Sequence, residues 1–349
     1  MSDPRVSVIL SVYNGDRFIR EAIESVLSQT FREFEFLIID DGSTDRSREI
    51  ICSYDDSRIR FIENTKNLGL TRSLNVGLRQ AHAPLIARQD ADDISHPLRL
   101  EKQVGFMDLH PTVALLGTQA QVIDADGVPI AYPEHRKATQ AESILWQMAV
   151  DSAFVHTSVI FRRDVVLGRL GGYDETYTNG QDADLWSRLA GKYGVRNLPD
   201  TLVRSRVHAG SISVRKRFVT PDAIRRGESI YLRTLRRVVP SEIVPDDWVP
   251  LYVGVYVGRI FSAVETDTLF QGLRSIGRYF SSVERNPVVT NEFRCVLSAK
   301  FMLLAAHFRS SHPLLAARAF SNAVHYERGI VSSQLRRHFG RGRRRLSPA

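Results

Sequence analysis

RVSVILSV, residues 5–12, is the stretch that decides the fold class of this chain. It is a nearly continuous apolar run rich in β-branched residues, which is typical of a parallel strand covered on both faces. The turn Asn14-Gly15-Asp16 follows, and apolar residues then recur at helical spacing from Phe18 to Leu27. The chain is therefore predicted to begin with a buried strand and a helix that packs on it.

The same order of strand and helix continues up to residue 93. Residues 70–81 have helical spacing, and Ser43 or Thr44 can cap an earlier helix that carries Ile50 and Ile51. Further strands are predicted at Phe34–Ile39, Ile59–Glu63 and Leu85–Arg88. This alternation predicts an α/β fold with a mostly parallel, doubly wound sheet flanked by helices. Ligands of such sheets bind beyond the carboxyl ends of the strands.

The rest of the chain predicts more sheet, followed by helices alone. Helices are predicted at 98–109 and 182–193, and strands at Val113–Gly117, Gln121–Ile123 and Ser158–Arg162. After Ser213, Arg-rich amphipathic helices are predicted near 220–238, 250–264, 266–283, 291–309 and 313–327. We predict three parts: an α/β domain at 1–214, a basic α-helical region at 215–338, and a disordered basic tail at 339–349.

Composition and charge narrow the class of protein. Of 349 residues, 43% are hydrophobic and 25% charged, as in an ordinary globular protein. Two cysteines exclude a disulfide framework and a Cys-rich zinc site. We expect neither a signal peptide nor a membrane-spanning segment. Residues 1–214 carry a net charge of −5 and residues 215–349 one of +13, so the basic part could meet nucleic acid, anionic lipid or no particular partner.

Three carboxylates, Asp90, Asp92 and Asp93, directly follow the predicted strand at 85–88. Clustered like charges repel and raise each other's pKa values, so such a cluster is tolerated where a divalent cation neutralises it. Oxygen ligands at a strand end suit Mg²⁺ or Mn²⁺, which in turn usually hold a phosphate. The alternative is a solvated acidic loop that caps the helix beginning near Pro97.

Two other acidic sites accompany this cluster. Asp40 and Asp41 end the second predicted strand, where one carboxylate can accept a hydrogen bond from the N–H of uracil or thymine; the alternative is a turn with a helix cap. Asp182 begins a predicted helix and could act as a general base, or could merely complement the helix dipole. Without further context, we interpret His156 and His208 as structural or exposed histidines.

Taken together, the chain resembles the family 2 glycosyltransferases, which have the GT-A fold, a Rossmann-like fold of nucleotide-diphospho-sugar transferases. The resemblance extends from Val6 to Ser213. It rests on phrases in the family's order and spacing: VSVILSVYNG (6–15), IIDDGSTD (38–45), NLGLTRSLNVGL (67–78), IARQDADDISHPLRLEKQ (86–103), HTSVIFRR (156–163), GGYDE (171–175), GQDADLWSRL (180–189) and RSRVHAGSIS (204–213).

The resemblance implies a role for each matching residue. Asp182 would be the catalytic base, and Asp92, helped by Asp93, would ligate the metal together with His208. The residues implied to bind the donor nucleotide are Ser11, Tyr13, Asp40, Asp41, Asn67, Arg72 and Asp90, with Asp90 at the ribose. The residues assigned to the acceptor side are Gln181, Trp186 and His156.

Three positions depart from the family pattern. Gln181 stands where the family usually has Glu, Gln89 where it has an apolar residue, and Ser11 where proline is common. Gln181 keeps the capacity to hydrogen-bond but loses a charge, which bears on the acceptor side. Asp182 is intact, so activity is expected.

The resulting prediction is an inverting, metal-dependent glycosyltransferase of bacterial polysaccharide or lipopolysaccharide synthesis. Its donor would be a UDP-sugar, with a dTDP-sugar as the alternative, its cofactor Mn²⁺ or Mg²⁺, and its acceptor a glycan or lipid-linked hydroxyl. The basic helices would contact the inner face of the membrane peripherally, which implies a cytoplasmic location, and nucleic-acid binding is not expected. The oligomeric state does not follow from the sequence.

Two other functions stay open. A catalytically silent nucleotide-sugar or glycan-binding protein would share the donor site, although intact Asp182, Asp92 and His208 speak against it. A sugar-1-phosphate nucleotidyltransferase would need a Gly-rich, basic phosphate loop after the first strand, and residues 11–15, SVYNG, do not provide one.

Overall fold

The computed structural model describes residues 3–130, 137–211, 221–256, 259, 261–308 and 313–326. Within them the chain forms two compact units. The first contains described residues up to 130, 139–144 and 152–211, and the second contains residues 137–138, 145–151 and those from 221 onward. The sequence did not indicate that segments near 137 and 148 belong with the C-terminal helices. The predicted tail at 339–349 lies outside the described residues.

The first unit is built on one eight-stranded sheet in the order β3-β2-β1-β4-β7-β6-β8-β5. Its strands are β1 (Val6–Val12), β2 (Phe34–Asp40), β3 (Ile59–Glu63), β4 (Leu85–Asp90), β5 (Ile94–Ser95), β6 (Val113–Ile123), β7 (Ile160–Arg162) and β8 (Gly194–Arg206). Strands β1 to β4 pair in parallel, as do β6 and β8, whereas β7 and β5 run antiparallel to their neighbours. The mostly parallel α/β sheet predicted from the sequence is confirmed.

The helices that accompany this sheet are α1 (Ile19–Leu27), α2 (Ser47–Cys52), α3 (Leu70–Gln80), α4 (Arg99–Leu109) and α6 (Gln181–Ala190), while α5 (Ala141–Met148) begins in this unit and ends in the second. A 3₁₀ turn at His156–Ser158 and a π-helical turn at Asp164–Arg169 flank β7. Alternate side chains of β1 (Val6, Val8, Leu10 and Val12) enter one core with the buried face of α1. Every residue of β1 and β2 is buried, as the continuous apolar run required.

The second unit is helical, as predicted. Its helices are α7 (Pro221–Leu235), α8 (Trp248–Tyr256), α9 (Ala263–Val283), α10 (Pro287–Phe308) and α11 (Pro313–Tyr326), and the last turns of α5 join them. An aromatic-rich core holds them together, with Trp146, Trp248, Phe280 and Phe293 among its buried members. In the part of the chain that the structure describes, no helix is both long and apolar enough to cross a membrane.

Candidate active site

Strand register brings the predicted donor residues to one edge of the sheet. Val12 of β1 pairs with Asp40 of β2, and Ser11 pairs with Asp90 of β4. Because these strands are parallel, their carboxyl ends meet at the same edge, where ligands of such sheets bind. Tyr13 follows directly and is half exposed, with 50% of its surface accessible.

The two carboxylates that end β2 are used differently. Asp41 accepts hydrogen bonds of 2.8 Å from the Asn64 side chain and from the backbone N–H groups of Leu68 and Gly69, so it shapes the loop after β3. Asp40 accepts one bond of 3.0 Å from the Ser43 amide through Oδ1. Its Oδ2 is buried and has no hydrogen-bond partner, which leaves one acceptor at the strand tip for a ligand donor.

The loop organised by Asp41 carries other donor-side candidates. Asn67 is exposed on it, close to the turn at Gly42, whose positive φ of 75° only glycine adopts easily. Arg72, in the first turn of α3, is exposed and lies 3.5 Å from Glu175. Both side chains are therefore available at this rim of the sheet.

The acidic turn after β4 contains three carboxylates in three environments. Burial raises the pKa of Asp90, but Arg88 and then His156 outweigh it and hold that pKa below its ordinary value. Burial, with the charge of Asp90, raises the pKa of Asp92. The pKa of Asp93 is raised well above its ordinary value by burial and by both neighbouring carboxylates. A cation beside the turn would relieve this repulsion.

Asp92 and His208 make the closest pair that could hold a metal. Oδ2 of Asp92 lies 3.0 Å from Nε2 of His208, and both side chains are partly exposed. The ring of His208 is fixed by the Gly210 amide, which donates to Nδ1 at 3.1 Å, and by Phe18, whose ring centroid is 4.7 Å away. One carboxylate and one imidazole fit Mn²⁺ or Mg²⁺ if a diphosphate completes the coordination. No three His, Cys, Asp or Glu side chains converge on one point within the described residues.

The side chain of Asp93 is turned toward the end of β8. It is buried, and its Oδ1 accepts a 2.7 Å hydrogen bond from the backbone N–H of Arg206. Arg206 also donates to the Asp92 carbonyl at 2.9 Å, while its guanidinium lies 4.7 Å from the centroid of the Phe18 ring. Arg206 and Asp93 therefore fasten the acidic turn to the end of β8, and this position favours a supporting role for Asp93 over direct metal ligation.

His156, assigned to the acceptor side, lies beside Asp90. Its Nδ1 is 4.0 Å from Asp90 Oδ2, and its Nε2 accepts from Arg88 Nε at 3.3 Å. In the neutral form of the ring, Nε2 can accept from Arg88 only if the proton is on Nδ1, toward Asp90. The Tyr173 hydroxyl is 3.4 Å from the same Nε2. His156 thus belongs to a network around Asp90, on the donor side.

Asp182 stands at the start of α6, after Gly180, whose φ of 72° is left-handed. Its carboxylate is partly exposed and makes no hydrogen bond or ion pair with the described residues. Asp184, two residues later, is buried and bonded to Arg188 at 2.8 Å. Burial raises the pKa of Tyr173, and Asp182 and Asp90 raise it further, so this hydroxyl senses both carboxylates.

The two other acceptor-side candidates differ in exposure. Trp186 is only 1% exposed and packs among Phe154, Phe161 and Tyr173. Its indole therefore faces the core of the first unit, and the assignment of Trp186 to the acceptor side stays a prediction. Gln181 is mostly buried at the first position of α6, beside Asp182.

Two buried arginines beside the acidic turn were not singled out from the sequence. Arg88 is 1% exposed and donates to Asp90 and to the Ile9 carbonyl, the latter at 2.8 Å. Arg99 is equally buried; burial lowers its pKa to about 9, so it stays charged at neutral pH. The only available signal was their spacing around the acidic run, since a buried arginine looks like a surface one in sequence.

The carboxylates gathered at the carboxyl edge of this mostly parallel sheet form a candidate site for a ligand. The profile of Glycosyl transferase family 2 matches residues 7–169. The chain is 38% identical over 195 residues to the putative glycosyltransferase EpsE of Bacillus subtilis (strain 168), covering 54% of this chain and 67% of that protein. The O-antigen biosynthesis glycosyltransferase WbnJ of Escherichia coli is 31% identical over 58% of this chain and 80% of its own length. The chain belongs to this family and is a nucleotide-sugar glycosyltransferase.

Solved structures share the fold. S. aureus TarS 1-349 in complex with UDP-GlcNAc aligns with a TM-score of 0.56 and 18% identity, over 95% of this chain and 92% of that one. The mannosyltransferase PcManGT from Pyrobaculum calidifontis in complex with GDP-Man and Mn²⁺ aligns with a TM-score of 0.53 and 18% identity, over 96% and 87%. The predicted GT-A fold is thereby confirmed.

Proposed function

We propose that this glycosyltransferase inverts the anomeric centre of a nucleotide-diphosphate sugar, with Asp182 as general base. The observation that carries the proposal is the free, partly exposed carboxylate of Asp182, in contrast to the paired Asp184 on the same helix. A base must keep an oxygen available for the acceptor hydroxyl. As Asp182 takes that proton, the acceptor oxygen forms a bond to C1 of the donor sugar, and the bond from C1 to the diphosphate breaks.

The donor is proposed to be a UDP-sugar, with a dTDP-sugar as the alternative. Asp40 Oδ2 supports this assignment, because an unpaired buried acceptor at the strand tip suits the N3–H of uracil or thymine. Asp90 is assigned to the ribose, and Ser11, Tyr13, Asn67 and Arg72 to the remaining donor contacts. Asp41 supports them through the loop it organises.

Mn²⁺ or Mg²⁺ is the proposed cofactor. Asp92 and His208 would hold it, and Asp93 would support the turn from behind. A bound divalent cation would offset the charge that develops on the departing diphosphate. The presence of Mn²⁺ with GDP-Man in PcManGT shows that a protein of this fold accepts that combination.

The acceptor is proposed to be a glycan or lipid-linked hydroxyl in polysaccharide synthesis. Relatives named for O-antigen and amylovoran biosynthesis support this class of pathway. Gln181 is the acceptor-side candidate retained next to Asp182, because its amide lies at the same helix start.

Residues 1–214 are proposed as the catalytic domain and 215–338 as a basic helical region that contacts anionic lipid peripherally at the inner face of the membrane. The net charge of +13 beyond residue 214 supports this contact, since each basic residue near an anionic surface contributes about 1 kcal/mol. The tail at 339–349 would add to that charge. We propose no nucleic-acid partner.

The test is a thermal-shift screen of nucleotide sugars with and without Mn²⁺, followed by a transfer assay with the donor that stabilises the protein. We expect one UDP- or dTDP-sugar to raise the unfolding temperature only when Mn²⁺ is present. Release of the nucleoside diphosphate confirms catalysis and excludes a silent binding protein. Stabilisation by a nucleoside triphosphate with sugar-1-phosphate would instead indicate nucleotidyl transfer.

A further inference from the structure

Two arginines of α9 flank the place where the Tyr326 side chain meets that helix. Arg274 and Arg278 are four residues apart, so they lie on one face of α9. Gly277 lies between them and leaves room for Tyr326, because a Cβ at this position would lie 2.2 Å from the phenolic oxygen. The ring of Tyr326 stacks on Phe301, with centroids 5.7 Å apart, so its position is fixed.

A third arginine, Arg294, lies on the next helix, α10. Leu297 packs against Gly277, since its Cδ1 lies 3.0 Å from the point that a Cβ on this glycine would occupy, and Arg294 is one turn before Leu297. Burial raises the pKa of Tyr326, whereas each of the three arginines lowers it, so all three charges are felt at this hydroxyl.

These three arginines have no carboxylate partner among the described residues. Arg278 donates only to the Ser275 hydroxyl, at 3.2 Å, and the Nε of Arg274 is buried without a hydrogen-bond partner. Three other arginines of the same unit are each paired with a carboxylate: Arg225 with Asp222, Arg259 with Glu265 and Arg318 with Asp267. Gathered like charges that lack a counter-ion indicate a site for an anion.

We propose that Arg274, Arg278 and Arg294 bind the phosphate group of an anionic lipid headgroup. A guanidinium presents its N–H groups in a planar fork that matches phosphate oxygens. Lipid is favoured over a soluble phosphate compound because Arg278 and Arg294 are exposed and the region carries a large positive charge. This inference rests on the proposed contact of the basic helices with lipid, and adds the residues that make it.

The test compares two triple variants of the full chain that lose the same charge. R274Q/R278Q/R294Q removes the cluster, and R225Q/R259Q/R318Q removes three paired arginines of the same unit. Co-sedimentation with phosphatidylcholine vesicles containing phosphatidylglycerol is measured at constant salt. We expect the cluster variant to bind at least roughly tenfold more weakly than the control, because it loses three contacts to lipid phosphate and the control loses none.

Three outcomes would overturn parts of this assignment. If both triple variants lose vesicle binding equally, the effect is one of general charge and the three arginines do not form a specific site. Displacement of the protein from vesicles by millimolar inorganic phosphate would assign the cluster to a free anion. Failure of the wild-type chain to bind any anionic vesicle would overturn the membrane contact itself, without bearing on sugar transfer.

A separate observation concerns Gln89, which stands where the family usually has an apolar residue. Its side chain is 0% exposed. Nε2 donates to the carbonyls of Asp90 and Asp93, at 3.1 and 2.8 Å. Oε1 accepts from the Ser95 hydroxyl at 2.7 Å and from Arg99 at 3.2 Å. All four hydrogen-bonding positions of the amide are therefore filled.

The geometry assigns Gln89 as a positioning residue for the acidic turn. Its amide donates to the carbonyls at both ends of the turn, and Asp92, the proposed metal ligand, lies between them. An apolar side chain would leave the Asp93 carbonyl without this donor, and the Asp90 carbonyl would keep only the backbone N–H of Asp93, at 3.3 Å. This second inference rests on the proposed metal–donor site, and explains why this chain carries a buried amide there.

Gln103 provides a matched control. It is equally buried, accepts from Arg99 at 3.1 Å and donates to the carbonyl of Ser158 at 2.8 Å, but it does not touch the acidic turn. Affinity for UDP with Mn²⁺ is measured by calorimetry for Gln89→Met and Gln103→Met, together with the unfolding temperature. We expect both variants to lose stability, and only Gln89→Met to bind roughly tenfold more weakly.

Equal affinities of the two variants would overturn the positioning role. If Gln89→Met does not fold, Gln89→Glu replaces it, because Glu keeps the acceptor for Ser95 and Arg99 and loses both donors to the turn. Normal affinity of that variant would also contradict the inference. Failure of the wild-type protein to bind UDP with Mn²⁺ would instead count against the proposed donor site.

Discussion

At the scale of single residues, Asp40 and Asp41 show how adjacent identical side chains acquire different tasks. Both carboxylate oxygens of Asp41 accept hydrogen bonds from the loop after β3, whereas Oδ2 of Asp40 has no hydrogen-bond partner at the strand tip. An unmet buried acceptor is unfavourable unless a ligand satisfies it. Asp41 therefore supports a loop, whereas Asp40 keeps an acceptor that we propose for the donor base, a distinction that no sequence pattern contains.

Asp40→Asn is predicted to weaken binding of UDP by roughly tenfold to a hundredfold, because it removes the charge from a hydrogen bond worth about 1.5–3 kcal/mol. Asp41→Asn should mainly lower the free energy of unfolding, since it replaces an acceptor of two backbone amides. Calorimetric titration with UDP and chemical denaturation separate the two effects. Equal losses of affinity in both variants would contradict the division.

Asp182→Asn is predicted to lower kcat by about 10²–10⁴-fold, because general-base catalysis contributes that much, and to leave donor affinity near the wild-type value. Asp184→Asn is the control on the same helix; it breaks the ion pair with Arg188 and should lower stability more than kcat. Turnover is followed by release of nucleoside diphosphate with a confirmed acceptor. Near-normal transfer by Asp182→Asn would remove Asp182 from the mechanism.

The sequence predicted that Asp40 and Asp90 lie at the ends of strands of one sheet, and the structure has them there, while their roles stay predictions. Burial and local contacts did not follow from the sequence: Trp186 lies in the core, His156 lies beside Asp90, and Arg88 was not singled out at all. Whether a polar residue faces a ligand or a neighbouring strand depends on tertiary packing. Composition and periodicity carry little of that information.

At the scale of elements, α3 lies close to the sheet only because Gly77 faces it. A Cβ there would be 2.7 Å from Ile9 and 3.0 Å from Ile39, so Gly77→Ala is predicted to destabilise the protein by about 1–3 kcal/mol through overpacking. A Cβ on Gly105 in α4 would have no neighbouring atom within 4 Å, so Gly105→Ala should stabilise by about 0.5–1 kcal/mol. Denaturant unfolding of both variants measures the change in the free energy of unfolding and tests whether it is negative for Gly77→Ala and positive for Gly105→Ala.

Glu35 connects strands β1, β2 and β3 and gives stability a dependence on pH. Burial raises its pKa, but the Ser7 hydroxyl, the His82 amide and Arg60 outweigh burial and hold the pKa below its usual value. A lowered folded-state pKa means that this stabilisation is complete above the unfolded pKa, about 4.5, and is lost as pH falls through the folded value.

Glu35→Gln is accordingly predicted to be less stable than the wild type at pH 7, with the difference shrinking below about pH 4.5. Urea unfolding of both proteins from pH 7 to pH 3 measures it. A difference that stays constant across this range would mean that the carboxylate charge contributes nothing.

Strands β1 to β4 were predictable because each is buried along its whole length or bounded by turns. β8 was not, since it contains Pro199, Asp200 and several arginines, and its pairing with β6 has register shifts. β6 was predicted as two strands, yet Thr118, Gln119 and Ala120 continue it as one. Pairing with a neighbour overrode local propensity in both cases.

At the scale of the whole molecule, the net charge is −5 over residues 1–214 and +13 over residues 215–349, and the proposed lipid contact depends on the second of these. Binding of the full chain to anionic vesicles is predicted to fall steeply between about 0.1 M and 1 M NaCl, because the Debye length shrinks from about 10 Å to about 3 Å. Neutral vesicles provide the control and should bind little at either salt concentration. Salt-insensitive binding to both kinds of vesicle would mean that apolar side chains, and not the arginines, carry the contact.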